Sequence, residues 1–164
     1  MNGPMDGTVT QSEGSSVLRF ERHLQHSVDK VWASLTQPEK LVNWLAEAEV
    51  EPVEGGRIKL TFANTGDVMN GRVIQAQPKA VLAYTWNSED ASESALRWEL
   101  APEADGCRLV LTHSIHATER LSYMLAGWHV HLDLLAETLA GEIKGWPWSH
   151  WEEMREKYAE QIGE

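Results

Sequence analysis

The sequence predicts an α+β fold in which one curved antiparallel sheet wraps around a single long helix near the C-terminal end. Three observations carry that expectation. Between Ala48 and Ile115, apolar residues recur at every second position in six successive segments separated by short turns. After Thr118 the period becomes that of a helix. Leu121, Met124, Leu125, Trp128, Leu132, Leu135 and Leu139 then fall within about 60° of one line. Ahead of the sheet, one isolated strand pattern is followed by two short helix starts.

Taken in order, residues 1–15 are small and polar with no hydrophobic signal core, and read as a disordered leader. Residues 16–164 read as a single domain. Val17–Leu24 alternates, with Leu18, Phe20 and Leu24 on one face. Ser27 is placed to cap a helix over Val28–Leu35, whose Val31, Trp32 and Leu35 face inward. Thr36-Gln37-Pro38-Glu39 has the spacing of a capping box and a Pro early in the next helix. The sheet segments follow at Ala48–Val53, Arg57–Ala63, Val68–Gln77, Ala80–Trp86, Ser94–Ala101 and Cys107–Ile115. Thr118 is the expected cap of the long helix and Gly141 its stop. A second capping-box spacing, Ser149–Glu152, opens a short C-terminal helix with Trp151, Met154, Tyr158 and Ile162 on one face.

Composition narrows the function. Fourteen basic residues against 25 acidic ones give a net charge of −11. That sign repels phosphate backbones and anionic headgroups, so neither nucleic acid nor a membrane is an expected partner. Cys107 is the single cysteine, which excludes an internal disulfide or a Cys-x-x-Cys metal site. No stretch approaches the ~18 apolar residues of a membrane span, and a cytoplasmic protein is expected. Eight tryptophans are an unusual share, each supplying a large rigid ring with one polar N–H.

The segments SVDKVWASLTQPEKLVNWL, VEGGRIKL, GRVIQAQPKAVLAYTW and GWHVHLDLLAETLAG resemble standalone proteins related to the activator of heat shock protein 90 ATPase. These belong to the START-like, or SRPBCC, superfamily with the helix-grip fold, and the resemblance covers roughly Val17–Gly145. It implies a sheet gripping the long helix around an apolar cavity. Superfamily relatives bind lipids, sterols or polyketides, and some are cyclases or aromatases. A chaperone is a further partner that the resemblance implies.

The histidines and aromatics are the candidates for chemistry. His129 and His131 are ~200° apart on a helix and cannot grip one metal together. His129 can touch Asp133 one turn on. The two imidazoles flank the apolar stripe, so one can reach a cavity mouth while the other faces outward. His113 shares a strand face with Leu109, Leu111 and Ile115. Phe62, Tyr84, Trp86, Trp98, His113, Met124, Trp128 and Leu132 are expected to line a pocket for a small hydrophobic or aromatic molecule. His113, Tyr84 or a Trp N–H would orient one polar group of that ligand. No catalytic residue, cofactor or metal is expected: there is no nucleophile elbow, and Cys107 sits among apolar strand residues. Val130 and Leu134 lie opposite the main stripe, where either the tryptophan-rich tail or a second subunit of a homodimer is expected to cover them.

Overall fold

A computed structural model describes residues 7–164. Its elements run β1 (Thr8–Ser12), β2 (Ser15–Leu24), α1 (Val28–Thr36), α2 (Pro38–Leu41), β3 (Glu47–Val50), β4 (Arg57–Thr61), β5 (Val68–Gln77), β6 (Val81–Thr85), β7 (Ala95–Glu103), β8 (Gly106–Ile115), α3 (Leu121–Leu139) and α4 (Trp148–Ile162). The strands form one antiparallel sheet in the order β1-β2-β8-β7-β6-β5-β4-β3. The chain's first long strand therefore pairs with its last, and α3 lies against the concave face so created. Among the described residues, no helix is long and apolar enough to cross a membrane.

Several local expectations are corrected. Thr8–Ser12 fall within the segment expected to be disordered, yet they form β1, paired with β2 from Thr8↔Arg19 to Ser12↔Ser15. The reason is a two-residue hairpin at Glu13-Gly14, both at positive φ (47° and 81°), a turn whose twist suits paired strands. Residues 1–6, the rest of the expected leader, lie outside the described residues. The Thr36 capping box does not form. Thr36 ends α1 and its hydroxyl donates to the Trp32 carbonyl, so Gln37 precedes Pro38 without a side-chain cap. Ser27 does cap α1, accepting the Lys30 N–H.

At α3 the expected Thr118 cap gives way to a distant one. Arg120, at φ 57°, precedes the helix, and the Glu164 carboxylate accepts from the Leu121 and Ser122 N–H groups and the Ser122 hydroxyl. A carboxylate at a helix N-terminus meets both unpaired donors and the positive dipole end. Burial pushes the Glu164 pKa up, but these hydrogen bonds outweigh it and hold the group below the usual range. Helix α4 starts one residue before the expected box, after Pro147 and without a side-chain cap. It packs along α3, and Val130 and Leu134 are buried within this one chain, so no second subunit is needed to cover them.

One glycine fixes how the sheet bends. A Cβ on Gly71 in β5 would run into the backbone carbonyl of Thr85, a neighbour that cannot rotate away. The approach precedes a register shift between Val73 and Gln75, where β5 leaves β4 and joins β6. Gly71→Ala should therefore destabilise by about 2 kcal/mol or more, as overpacking does. Urea denaturation of the variant checks this, and an unchanged midpoint would show that the bend is soft.

Candidate ligand pocket

Between the sheet and α3 lies a cavity of about 580 Å³. Its deep wall comes from Phe62, just past β4, Met69 of β5, and Trp86, just past β6. Helix α3 supplies Tyr123, Met124, Gly127, Trp128 and His131, which recur at helical spacing on the face turned to the sheet. Trp146, Trp148 and Trp151 close the third side from the tail. Asn64, Thr65, Asp67 and Asn87, from the turns after β4 and β6, bring polar atoms to the rim. The rim is open to solvent, with Trp148 49% and Tyr123 43% exposed. A second depression of about 710 Å³ over β3–β5 is lined by charged side chains such as Glu49, Arg57, Lys59 and Arg72. It offers apolar ligands little surface.

Of the residues expected to line the pocket, Phe62, Trp86, Met124 and Trp128 do so. Tyr84, Trp98, His113 and Leu132 are not among the lining; each is almost completely buried in the layer behind it. Their polar atoms are turned to one another rather than to the cavity. Trp98 Nε1 donates to Tyr84 Oη at 3.1 Å, and Trp128 Nε1 donates to His113 Nδ1 at 3.1 Å. His113 is thereby fixed with its proton on Nε2, which finds no acceptor among the described residues. Burial lowers its pKa to about 4 and pushes the Tyr84 phenol up.

The structure separates the two histidines of α3. His131 lines the cavity and its Nδ1–H donates to the Trp44 carbonyl at 2.9 Å. Burial lowers its pKa to about 4 against the opposing pull of that carbonyl, so the ring is neutral and Nε2 is its acceptor. His129 faces α4 instead, with Nδ1 2.8 Å from Tyr158 Oη. The rings then run as a continuous set: Trp86–Trp128 at 5.7 Å, Trp128–His131 at 5.8 Å, His131–Trp146 at 4.6 Å and Trp146–Trp148 at 5.9 Å. Sequence reasoning missed the tail's share of this wall. The Trp-Pro-Trp-Ser-His-Trp run at 146–151 was its only signal.

Among known proteins, the profile of the family described as "Activator of Hsp90 ATPase homolog 1-like protein" matches residues 25–140. The chain belongs to that family. Its architecture is the family's helix-grip fold, and solved structures agree. The protein encoded by gene BPP1335 of Bordetella parapertussis is 28% identical with a TM-score of 0.68, covering 93% of this chain and 88% of that one. CalU16 from Micromonospora echinospora is 23% identical with a TM-score of 0.70, over 96% of each chain. EF2215 from Enterococcus faecalis reaches a TM-score of 0.77 at 18% identity, over 99% of this chain and 93% of the other. These last two show likeness of fold alone. No curated protein matches the sequence.

Proposed function

We propose that this family member binds a small, largely apolar aromatic molecule in the cavity between sheet and α3, without transforming it. The observation that carries the reading is the wall itself: five tryptophan rings around a space of about 580 Å³, a volume suited to one drug-sized molecule. Burying such a ligand against them supplies affinity at about 25 cal/mol per Å² of apolar area before the costs of association. One polar group is placed to orient it: His131 lines the cavity with Nδ1–H donated to Trp44, which leaves Nε2 as an acceptor. A ligand hydroxyl can donate to it. The reading is noncatalytic because, among the described residues, no carboxylate or second titratable group is paired with the His131 imidazole at the wall, whose Nδ1–H is donated to the Trp44 carbonyl.

The test uses an uncharged fluorescent probe, N-phenyl-1-naphthylamine, titrated into the full chain. Saturable one-to-one binding with quenching of tryptophan emission is expected. Trp148→Ala, at an exposed rim position, should weaken it by about tenfold, as loss of one well-packed ring does. Absence of saturation, or an affinity untouched by Trp148→Ala, overturns the reading. The family's description favours a second reading, action on a chaperone ATPase through the exterior. Stimulation of that ATPase by saturating protein, unchanged in Trp148→Ala, would favour it over the first.

A further inference from the structure

A different face of α3 carries a second cluster. His129 and Asp133 stand one helical turn apart, and folding brings His150 of the first turn of α4 against them. His150 Nε2 lies 2.8 Å from Asp133 Oδ2, and His129 Nε2 lies 3.4 Å from the same oxygen. The ligand-capable atoms of all three residues lie within 4.8 Å of one another. In a tetrahedral zinc site with bonds of about 2.0–2.1 Å, neighbouring ligand atoms are roughly 3.3 Å apart. The three side chains thus converge to within small adjustments of that arrangement. We propose that His129, Asp133 and His150 bind a divalent transition-metal cation of the zinc type, joining α4 to α3 outside the ligand pocket.

The surroundings orient these groups as outer partners orient metal ligands. Arg22, buried in the sheet, donates to Asp133 Oδ1 at 2.9 Å and so turns Oδ2 toward the two imidazoles. Tyr158 Oη lies 2.8 Å from His129 Nδ1 and also accepts the Gly7 N–H. When the metal takes Nε2 of each ring, the ring proton resides on Nδ1, and for His129 the Tyr158 oxygen accepts it. Asp133 and His150 are each about a third exposed, which leaves a fourth coordination position for water. Two imidazoles with one carboxylate suit zinc, cobalt or nickel rather than calcium or magnesium, which prefer all-oxygen shells. The Arg22 charge opposes a dication, while the chain's net charge of −11 favours its approach.

Another histidine among carboxylates shows the difference. His23 Nδ1 meets Glu103 at 3.0 Å and its Nε2 meets Glu21 at 3.1 Å. The two carboxylates therefore sit at opposite edges of the ring and cannot share an ion with it. His23 serves as the control. Full-length protein freed of metal by a chelator is titrated with Zn(II) by calorimetry and with Co(II) by visible absorption. The expected result is one equivalent bound, at least tenfold weaker in His150→Ala and unchanged in His23→Ala. Zn(II) should also raise the melting temperature of the wild type but not of His150→Ala. No saturable one-equivalent binding, or equal affinity in His150→Ala, overturns the proposal. Neither outcome bears on the pocket, since His150 and Asp133 are not part of its wall.

Discussion

The free energy of unfolding is expected to fall steeply as pH drops from about 6.5 to about 4. His113 and His131 are the cause, each buried and held neutral with a pKa lowered to about 4. In the unfolded chain both return to the ordinary value of 6.5. Between those two pH values the unfolded state binds two more protons than the folded one, so stability rises with pH across the window. The stabilisation is fully present above 6.5 and is lost as pH falls toward 4, at about 3 kcal/mol for each ring. Together that rivals the ~5–15 kcal/mol by which a domain of this size is stable, so acid unfolding should set in near pH 4. His23 works in the opposite sense, since Glu103 beside it holds its pKa up, but its side chain is half exposed and the effect is small. Urea titrations at half-unit steps of pH measure the slope. His131→Asn keeps a donor for the Trp44 carbonyl without titrating there, and should remove about half of it. Stability that is flat between pH 6.5 and 4.5 would mean that water reaches both rings.

What the sequence made legible here follows from the range of each interaction. The meander and α3 were readable because their signals are periodic and local: Ile58, Leu60 and Phe62, or Leu121, Leu125, Trp128 and Leu132, repeat within one element. The α3 cap was not, because the carboxylate that fills it belongs to Glu164, more than 40 residues away. Strand β1 is polar, so its pattern is silent; only the Glu13-Gly14 turn announces it.

In the pocket, periodicity gave the face but not the depth. Tyr84 and Trp86 point the same way, yet Tyr84 pairs with Val73 and Leu96 inside the sheet while Trp86 stands past the end of β6. The first is core and the second is wall. Arg22 is the converse case. It lies on the inward face with Leu18, Phe20 and Leu24, and a charge there is tolerable only because Asp133 meets it across 111 residues of chain. His150 joins His129 and Asp133 by the same tertiary route, which no local spacing could announce.

Trp128→Ala is the substitution with the next largest expected effect, at about 3–5 kcal/mol. Trp128 is buried and its ring stands 5.7 Å from both Trp86 and Trp98, so its loss leaves a void that rigid neighbours cannot fill. It also strips His113 Nδ1 of its donor. Trp128→Phe should cost less, since it restores much of the ring and forfeits chiefly the hydrogen bond. Two further readings separate this residue from an ordinary core tryptophan. Because Trp128 lines the cavity while His113 lies directly behind it, removing the ring opens a path for water to His113. Burial is what lowers the His113 pKa, so in Trp128→Ala that pKa should climb back toward 6.5 and the acid slope should shrink by about one proton. Added indole should then refill the space and raise the variant's melting temperature, by the mass-action gain of a ligand that binds only the folded state. If the acid slope of Trp128→Ala stays at two protons, His113 is not behind the pocket wall. If indole leaves its melting temperature where it was, the void has collapsed, and Trp128 is core rather than boundary.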